Sequence, residues 1–343
     1  MSGARRGAAV LLAAGGCLAI AACGSSGGGS TSTSAATTGA GAAGAPTGAQ
    51  EGVPSFGHVF LIVGENTSLS QITAQHAPYL TGTLRPRAAW LTDYHAFGNL
   101  SSGGQYIGMT SGQFIKCEAN DAPPLHCNQN VPNLFGQLDA AHLPWIAWNE
   151  SADNACDFVD HGADWAKNVF SAHHEPAIYY TGIQGGKYDE GIAPSHECLT
   201  RDLPMGTTAP NDTSAFDRAL ASGSVGNFNL VISNDCENGH DPCGTSDPVK
   251  QFDDFLAREV PKIESSPAFG DSGLIMITWD EGADPPLDPM HVLALAVGPQ
   301  VMPGTYSQGP FDHYAMLRTI EDGFGLAHLG AAKAASPIAQ IWM

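Results

Sequence analysis

Five short apolar runs punctuate the chain: His58–Val63, Trp145–Trp148, Phe228–Ile232, Leu274–Trp279 and Val292–Val297. Their length, and the polar turns around them, predict buried β-strands. Between them the spacing becomes helical. Asp247-Pro248 has the form of an N-cap followed by proline at the first helical position. Phe252, Phe255, Leu256, Val260 and Ile263 then recur on one face, with Pro261 expected to bend or end that helix. A second helix is predicted from Asp312 to Phe324, with Met316, Leu317, Ile320 and Phe324 facing inward. Strands alternating with helices imply an α/β fold, a mostly parallel central sheet with helices on both faces.

The first fifty residues read differently. Arg5 and Arg6 precede an apolar stretch from Ala8 to Ala22, too short to span a bilayer but the size of a signal-peptide core. It ends in Ile20-Ala21-Ala22-Cys23-Gly24, which resembles the bacterial lipobox with Cys23 as the lipidated residue. Residues 24–53, rich in Gly, Ser, Thr and Ala, cannot build a core and read as a disordered tether. The expected organisation is therefore a signal peptide with lipobox over 1–23, the tether over 24–53 and one domain over 54–343. Export follows, either as an outward-facing membrane lipoprotein or as a secreted protein, with the lipid anchor as the only membrane contact.

Charge narrows the partners. The 343 residues carry 34 acidic and 14 basic side chains, a formal net charge of -20. Such a surface repels nucleic-acid backbones and anionic membranes, so any anionic ligand needs a local cation. Six cysteines follow Cys23, an even count that favours disulfides in an exported chain and leaves fifteen connectivities. Proximity suggests Cys117–Cys127 and Cys236–Cys243, leaving Cys156–Cys198. A zinc–thiolate site is the rival, disfavoured because no CxxC pair occurs.

Three strands run directly into acids. His58–Val63 leads to Glu65-Asn66, Phe228–Ile232 to Asn234-Asp235 and on to His240-Asp241, and Leu274–Trp279 to Asp280-Glu281. In an open parallel sheet the carboxyl ends of the strands share one edge, where ligands bind. Hard carboxylates with an imidazole suit a divalent metal; each acid taken alone also suits a helix cap or a turn.

In these blocks the chain resembles the bacterial phosphoesterase family of the alkaline phosphatase superfamily, which includes secreted acid phosphatases and phospholipase C enzymes. The blocks are Glu65-Asn66 after a strand, Asn234-Asp235 through His240-Asp241, Asp280-Glu281, and His291 to Pro299 continuing through His313-Tyr314 to Glu321. The resemblance implies an alkaline phosphatase-like fold and hydrolysis of phosphate monoesters through a serine nucleophile. It aligns Ser102 with that nucleophile, with Ser101 one register away, and assigns Glu65, Asn66, Asp280 and Glu281 to a divalent cation of unknown identity. His240 and Asp241 would complete a second metal site, bind phosphate or protonate the leaving group. Asp235, His313 and His291 are further candidates. The substrate would be a small phosphate ester or a phospholipid head group.

The nucleophile segment departs from the family pattern: Leu100, Ser101 and Gln105 replace His, Pro and Asn, and Thr67 replaces Arg after Glu-Asn. These changes put substrate preference in question. By itself Ser101-Ser102-Gly103-Gly104 reads as a plain flexible loop. A phospholipase C-like diesterase and a catalytically impaired binding protein of the same fold are the alternatives. A metal-free serine esterase is disfavoured because no G-x-S-x-G occurs within the domain over 54–343. His173-His174 and Asp160-His161 read as surface or loop residues, and Arg318 as a salt-bridge partner rather than a phosphate ligand.

Overall fold

The five apolar runs all become strands, and four more join them in a sheet of nine. In chain order these are β1 (His58–Gly64), β2 (Ala89–His95), β3 (Trp145–Asn149), β4 (Asp202–Pro204), β5 (Phe228–Ile232), β6 (Gly273–Trp279), β7 (His291–Val297), β8 (Gly304–Tyr306) and β9 (Phe311–Asp312). The computed structural model describes residues 50–98, 101–117, 121–162, 169–186, 193–244 and 247–343. Cys23, the signal peptide and nearly all of the tether lie outside the described residues.

The sheet order is β4-β3-β5-β1-β6-β7-β2-β8, with β9 also paired to β2. Every pairing is parallel except the two made by β7. β1, β5 and β6 form the centre, and β5 and β6 are buried along their whole length. That burial explains why they read as unbroken apolar runs rather than alternating ones. β2 escaped the sequence reading because Thr92, Asp93 and His95 interrupt its apolar residues and the ladder is irregular between Leu91 and Tyr94.

The helices are α1 (Ser102–Ser111), α2 (Leu134–Ala140), α3 (Thr181–Gln184), α4 (His196–Arg201), α5 (Ser214–Ser222), α6 (Pro248–Ser265) and α7 (His313–Phe324). Asp247 caps α6 by accepting from Lys250 N, and Asp312 caps α7 by accepting from Ala315 N. Pro261 does not end α6, which continues to Ser265. The apolar face around it, Val260 and Ile263, is fully buried and holds the last turn in place despite the missing N–H.

All three cysteine pairs expected from proximity are disulfides, with Cα–Cα distances of 5.2 Å for Cys117–Cys127, 5.3 Å for Cys156–Cys198 and 5.0 Å for Cys236–Cys243. Cys156 and Cys198 lie beside the Asp202 carboxylate, but their sulfurs are joined and offer no thiolates to a metal.

Candidate active site

The loops after β1, β5 and β6 are tied together by their main chains. Glu65 N donates to Asn238 O at 2.7 Å, Asp280 N to Gly64 O at 3.0 Å and Thr67 N to Glu281 O at 3.1 Å. Thr67 Oγ1 also donates to Glu65 O at 3.0 Å. Thr67 is fully buried in this stitching.

Onto this edge comes α1. Ser102 is its first residue, following the N-cap Ser101, so the Ser101-Ser102-Gly103-Gly104 stretch is a helix start and not a flexible loop. All ten residues of α1 are buried. Ser102 Oγ donates to Glu65 Oε2 at 2.9 Å, and one turn later Tyr106 OH donates to Glu65 Oε1 at 2.6 Å. Asn66 N donates to Asp280 Oδ1 at 3.1 Å. Burial and the facing Asp280 carboxylate push the Glu65 carboxyl well above its ordinary range. Burial also lifts Asp280, against the opposing effect of the Ser102 hydroxyl. Glu281 is pushed up to about 8 by burial and the charge of Asp280. Asn66 Oδ1 and Asp280 Oδ2 are buried with no hydrogen-bond partner among the described residues.

His173-His174 do lie in a turn, as expected, but His174 is not a surface residue. His174 is buried, with Nε2 3.5 Å from Glu65 Oε2 and Nδ1 3.2 Å from Asp235 Oδ1. Burial alone would keep it neutral, but Glu65 and Asp235 carry its pKa up to about 10 and hold it charged. Burial pushes Asp235 up, yet its contacts with His174 and Ser171 outweigh that and leave it below the ordinary carboxylate range. Asn238 Nδ2 also donates to Asp235 Oδ1 at 3.3 Å. His173, its ring 4.2 Å from that of His174, is lowered to about 4 by burial and by that neighbouring charge. Sequence spacing carried no signal for His174, because it reaches the carboxylates from a turn between β3 and β4. Asp160-His161 do stay at the surface side of that region, with His161 paired to Asp157 and Asp153.

His240 and Asp241 sit at the rim. The His240 side chain is 52% exposed and its Nδ1 lies 3.6 Å from Asp241 Oδ2. The Cys236–Cys243 disulfide closes the loop that carries them. His313 is buried and touches only the main chain of the site: Nε2 donates to Asp280 O at 2.7 Å, and Nδ1 accepts from Tyr94 OH at 2.9 Å. Burial lowers it to about 4, so it is a neutral strut under Asp280. His291 starts β7 and its Nε2 donates to Thr92 O at 2.7 Å, with its ring stacked 5.1 Å from His95. It makes no hydrogen bond or ion pair with the site's carboxylates among the described residues. Gln105 is fully buried and clamps Phe97, accepting from its N at 3.0 Å and donating to its O at 2.8 Å. Arg318 pairs with Glu51 and Asp322 as expected of a salt bridge. Leu100 lies outside the described residues.

A model of the Phosphoesterase family matches residues 73–327, about three quarters of the chain. The chain belongs to the Phosphoesterase family. This phosphoesterase is 25% identical over 294 residues to a phosphatidylinositol-3-phosphatase of Mycobacterium tuberculosis, covering 86% of this chain and 85% of that relative. It is 22% identical over 296 residues to a probable acid phosphatase of Kluyveromyces lactis, covering 80% of this chain but 60% of the relative. Its fold is similar to that of a Vibrio parahaemolyticus protein of the alkaline phosphatase superfamily, with a TM-score of 0.52 at 12% identity over 82% of this chain and 69% of that one. The protein is a phosphoric ester hydrolase with an alkaline phosphatase-like fold. The family match begins after Glu65 and Asn66, so the place of these two residues in the site rests on the geometry above.

Proposed function

We propose that this phosphoesterase is an exported, metal-dependent phosphomonoesterase with Ser102 as nucleophile. The observation that carries the reading is the Ser102 hydroxyl at the start of a buried helix, 2.9 Å from Glu65, in a set of hard oxygen donors with two buried and unpartnered oxygens. Glu65 and Asp280 face each other with no lysine or arginine paired to either among the described residues, an arrangement that a divalent cation relieves. Glu65, Asn66, Asp280 and Glu281 would hold it. When bound, it neutralises phosphoryl charge and lowers the pKa of the serine hydroxyl.

The chain's own groups do the rest. Ser102 Oγ gives its proton toward Glu65 and attacks phosphorus as the bond to the leaving oxygen breaks, giving a phosphoserine. His174, held charged beside Glu65, supplies a fixed positive charge next to the nucleophile. We assign protonation of the leaving alkoxide to His240 with Asp241 at the open rim. Attack of water then releases phosphate and restores the serine. Asp235 is already engaged by His174, Ser171 and Asn238, which supports one cation rather than two.

The relative named a phosphatidylinositol-3-phosphatase supports small phosphate esters and phosphorylated lipid head groups as substrates. The Cys23 pattern and the three disulfides support export, with anchoring through Cys23 or secretion. The test is hydrolysis of p-nitrophenyl phosphate and of its phosphocholine diester, with and without chelator, alongside elemental analysis of the purified protein. Monoester turnover that chelator abolishes and Ser102→Ala removes is expected, with Ser101→Ala milder. Turnover that survives chelation, or greater loss in Ser101→Ala, would overturn the assignment.

A further inference from the structure

Ser102, Gly103 and Gly104 open α1, and their amide N–H groups have no partner one turn back. Such a helix start is where an anion bound beside the nucleophile finds donors. One of the three is already taken. The N-cap Ser101 makes no side-chain cap; instead Asp121, from a separate segment, accepts from Gly103 N at 3.0 Å and donates its own N–H to Ser101 Oγ at 3.3 Å. Asp121 holds a left-handed φ of 52°, which aspartate and asparagine tolerate better than most residues. Its segment is closed by the Cys117–Cys127 disulfide, and Tyr179 OH donates to the next carbonyl, Ala122 O, at 2.8 Å.

We propose that Asp121 is a specificity-determining residue that makes the phosphoryl site favour a singly charged phosphoryl group over a doubly charged one. This rests on the reading of Ser102 as nucleophile. The carboxylate is fixed one residue from Ser102 and shares the mouth of the site with Ser101 and Gly103 of α1, His173 and Tyr179 from the turn after β3, and Glu281 after β6. His173 stays neutral, and no cationic side chain pairs with Asp121 among the described residues. Each further negative charge on the phosphoryl group therefore meets a carboxylate held only by a main-chain N–H, with no ion-pair partner among the described residues. A phosphate monoester loses its second proton near pH ~6, so its singly charged form prevails on the acid side, while a diester is singly charged throughout.

Calorimetric titration of the full-length protein at pH 7.5, with each common divalent cation supplied in turn, tests this. Methyl phosphate is the doubly charged probe and dimethyl phosphate the singly charged one. Asp121→Asn keeps an acceptor for Gly103 N and suits the positive φ, but removes the charge. We expect it to tighten methyl phosphate by roughly tenfold and to leave dimethyl phosphate within about threefold. Equal shifts for both ligands, or none for either, would overturn the role of Asp121. If wild-type protein binds neither ligand with any cation, the Ser102 site itself is wrong. Turnover of p-nitrophenyl phosphate by the same samples reads that second failure separately.

Discussion

Glu65 is the residue on which the site turns. Both its oxygens are committed, Oε1 to Tyr106 and Oε2 to Ser102, with His174 beyond. A buried carboxylate held this way has one orientation, the one that the proposed cation and the Ser102 hydroxyl would meet. Replacing Tyr106 by Phe leaves Oε1 buried without a donor. The expected cost is about 1–3 kcal/mol in chemical denaturation. Equilibrium dialysis should also show weaker cation binding than in the wild type, whereas a merely structural tyrosine would change stability alone. His174 is the complementary case: a cation that no motif announces, created by the two carboxylates on either side of it.

At the scale of elements, α1 owes its position to glycines. A side chain at Gly108 would meet the Phe97 ring at 2.4 Å, and that ring is boxed in by His313 and Tyr314 at centroid distances of 5.0 and 4.1 Å. Phe97 cannot step aside, so Gly108→Ala should push α1 off its seat. It should destabilise the protein by about 1–3 kcal/mol and lower turnover by displacing Ser102, as denaturation and steady-state kinetics on one preparation will show. The loop after β5 has a different tether. With the Cys236–Cys243 bond reduced, His240 and Asp241 lose their constraint while the sheet keeps its own. Activity should therefore fall at a lower reductant concentration than thermal stability does; parallel loss of both signals would count against a preorganised rim.

For the whole molecule, buried acids set the response to pH. Asp202 and Glu321 are both raised to about 8, chiefly by burial. Unfolded, each would ionise near pH ~4. Between these values the unfolded chain has released protons that the folded chain retains, so stability is greatest below about pH 4 as far as these two groups are concerned, and declines as pH rises toward 8. Melting temperature should drop steadily across that window. Asp202→Asn, which keeps an acceptor for Asn149, should flatten the decline, and an unchanged slope would contradict the assignment.

The sequence alone determined the central strands, the two long helices, the three disulfide pairs and the acids after β1 and β6. Nearly all of these are local signals: an unbroken apolar run, a cap followed by a 3.6-residue spacing, two cysteines close along the chain, or an acid one residue past a strand; Cys156–Cys198, 42 residues apart, was the pair left over. The tertiary structure decided what local spacing cannot express. It turned the glycine-rich stretch at Ser102 into a buried helix, because a helix that packs on all sides needs small residues rather than an apolar stripe. It brought His174 and Asp121 to the sheet edge from turns with no motif, and it aimed His313 at the Asp280 main chain rather than at the carboxylates. The strong acidity that argued against anionic ligands belongs to the whole surface. At the sheet edge the same residue types are crowded and desolvated together, and that crowding is what supports the proposal of a cation that holds phosphate there.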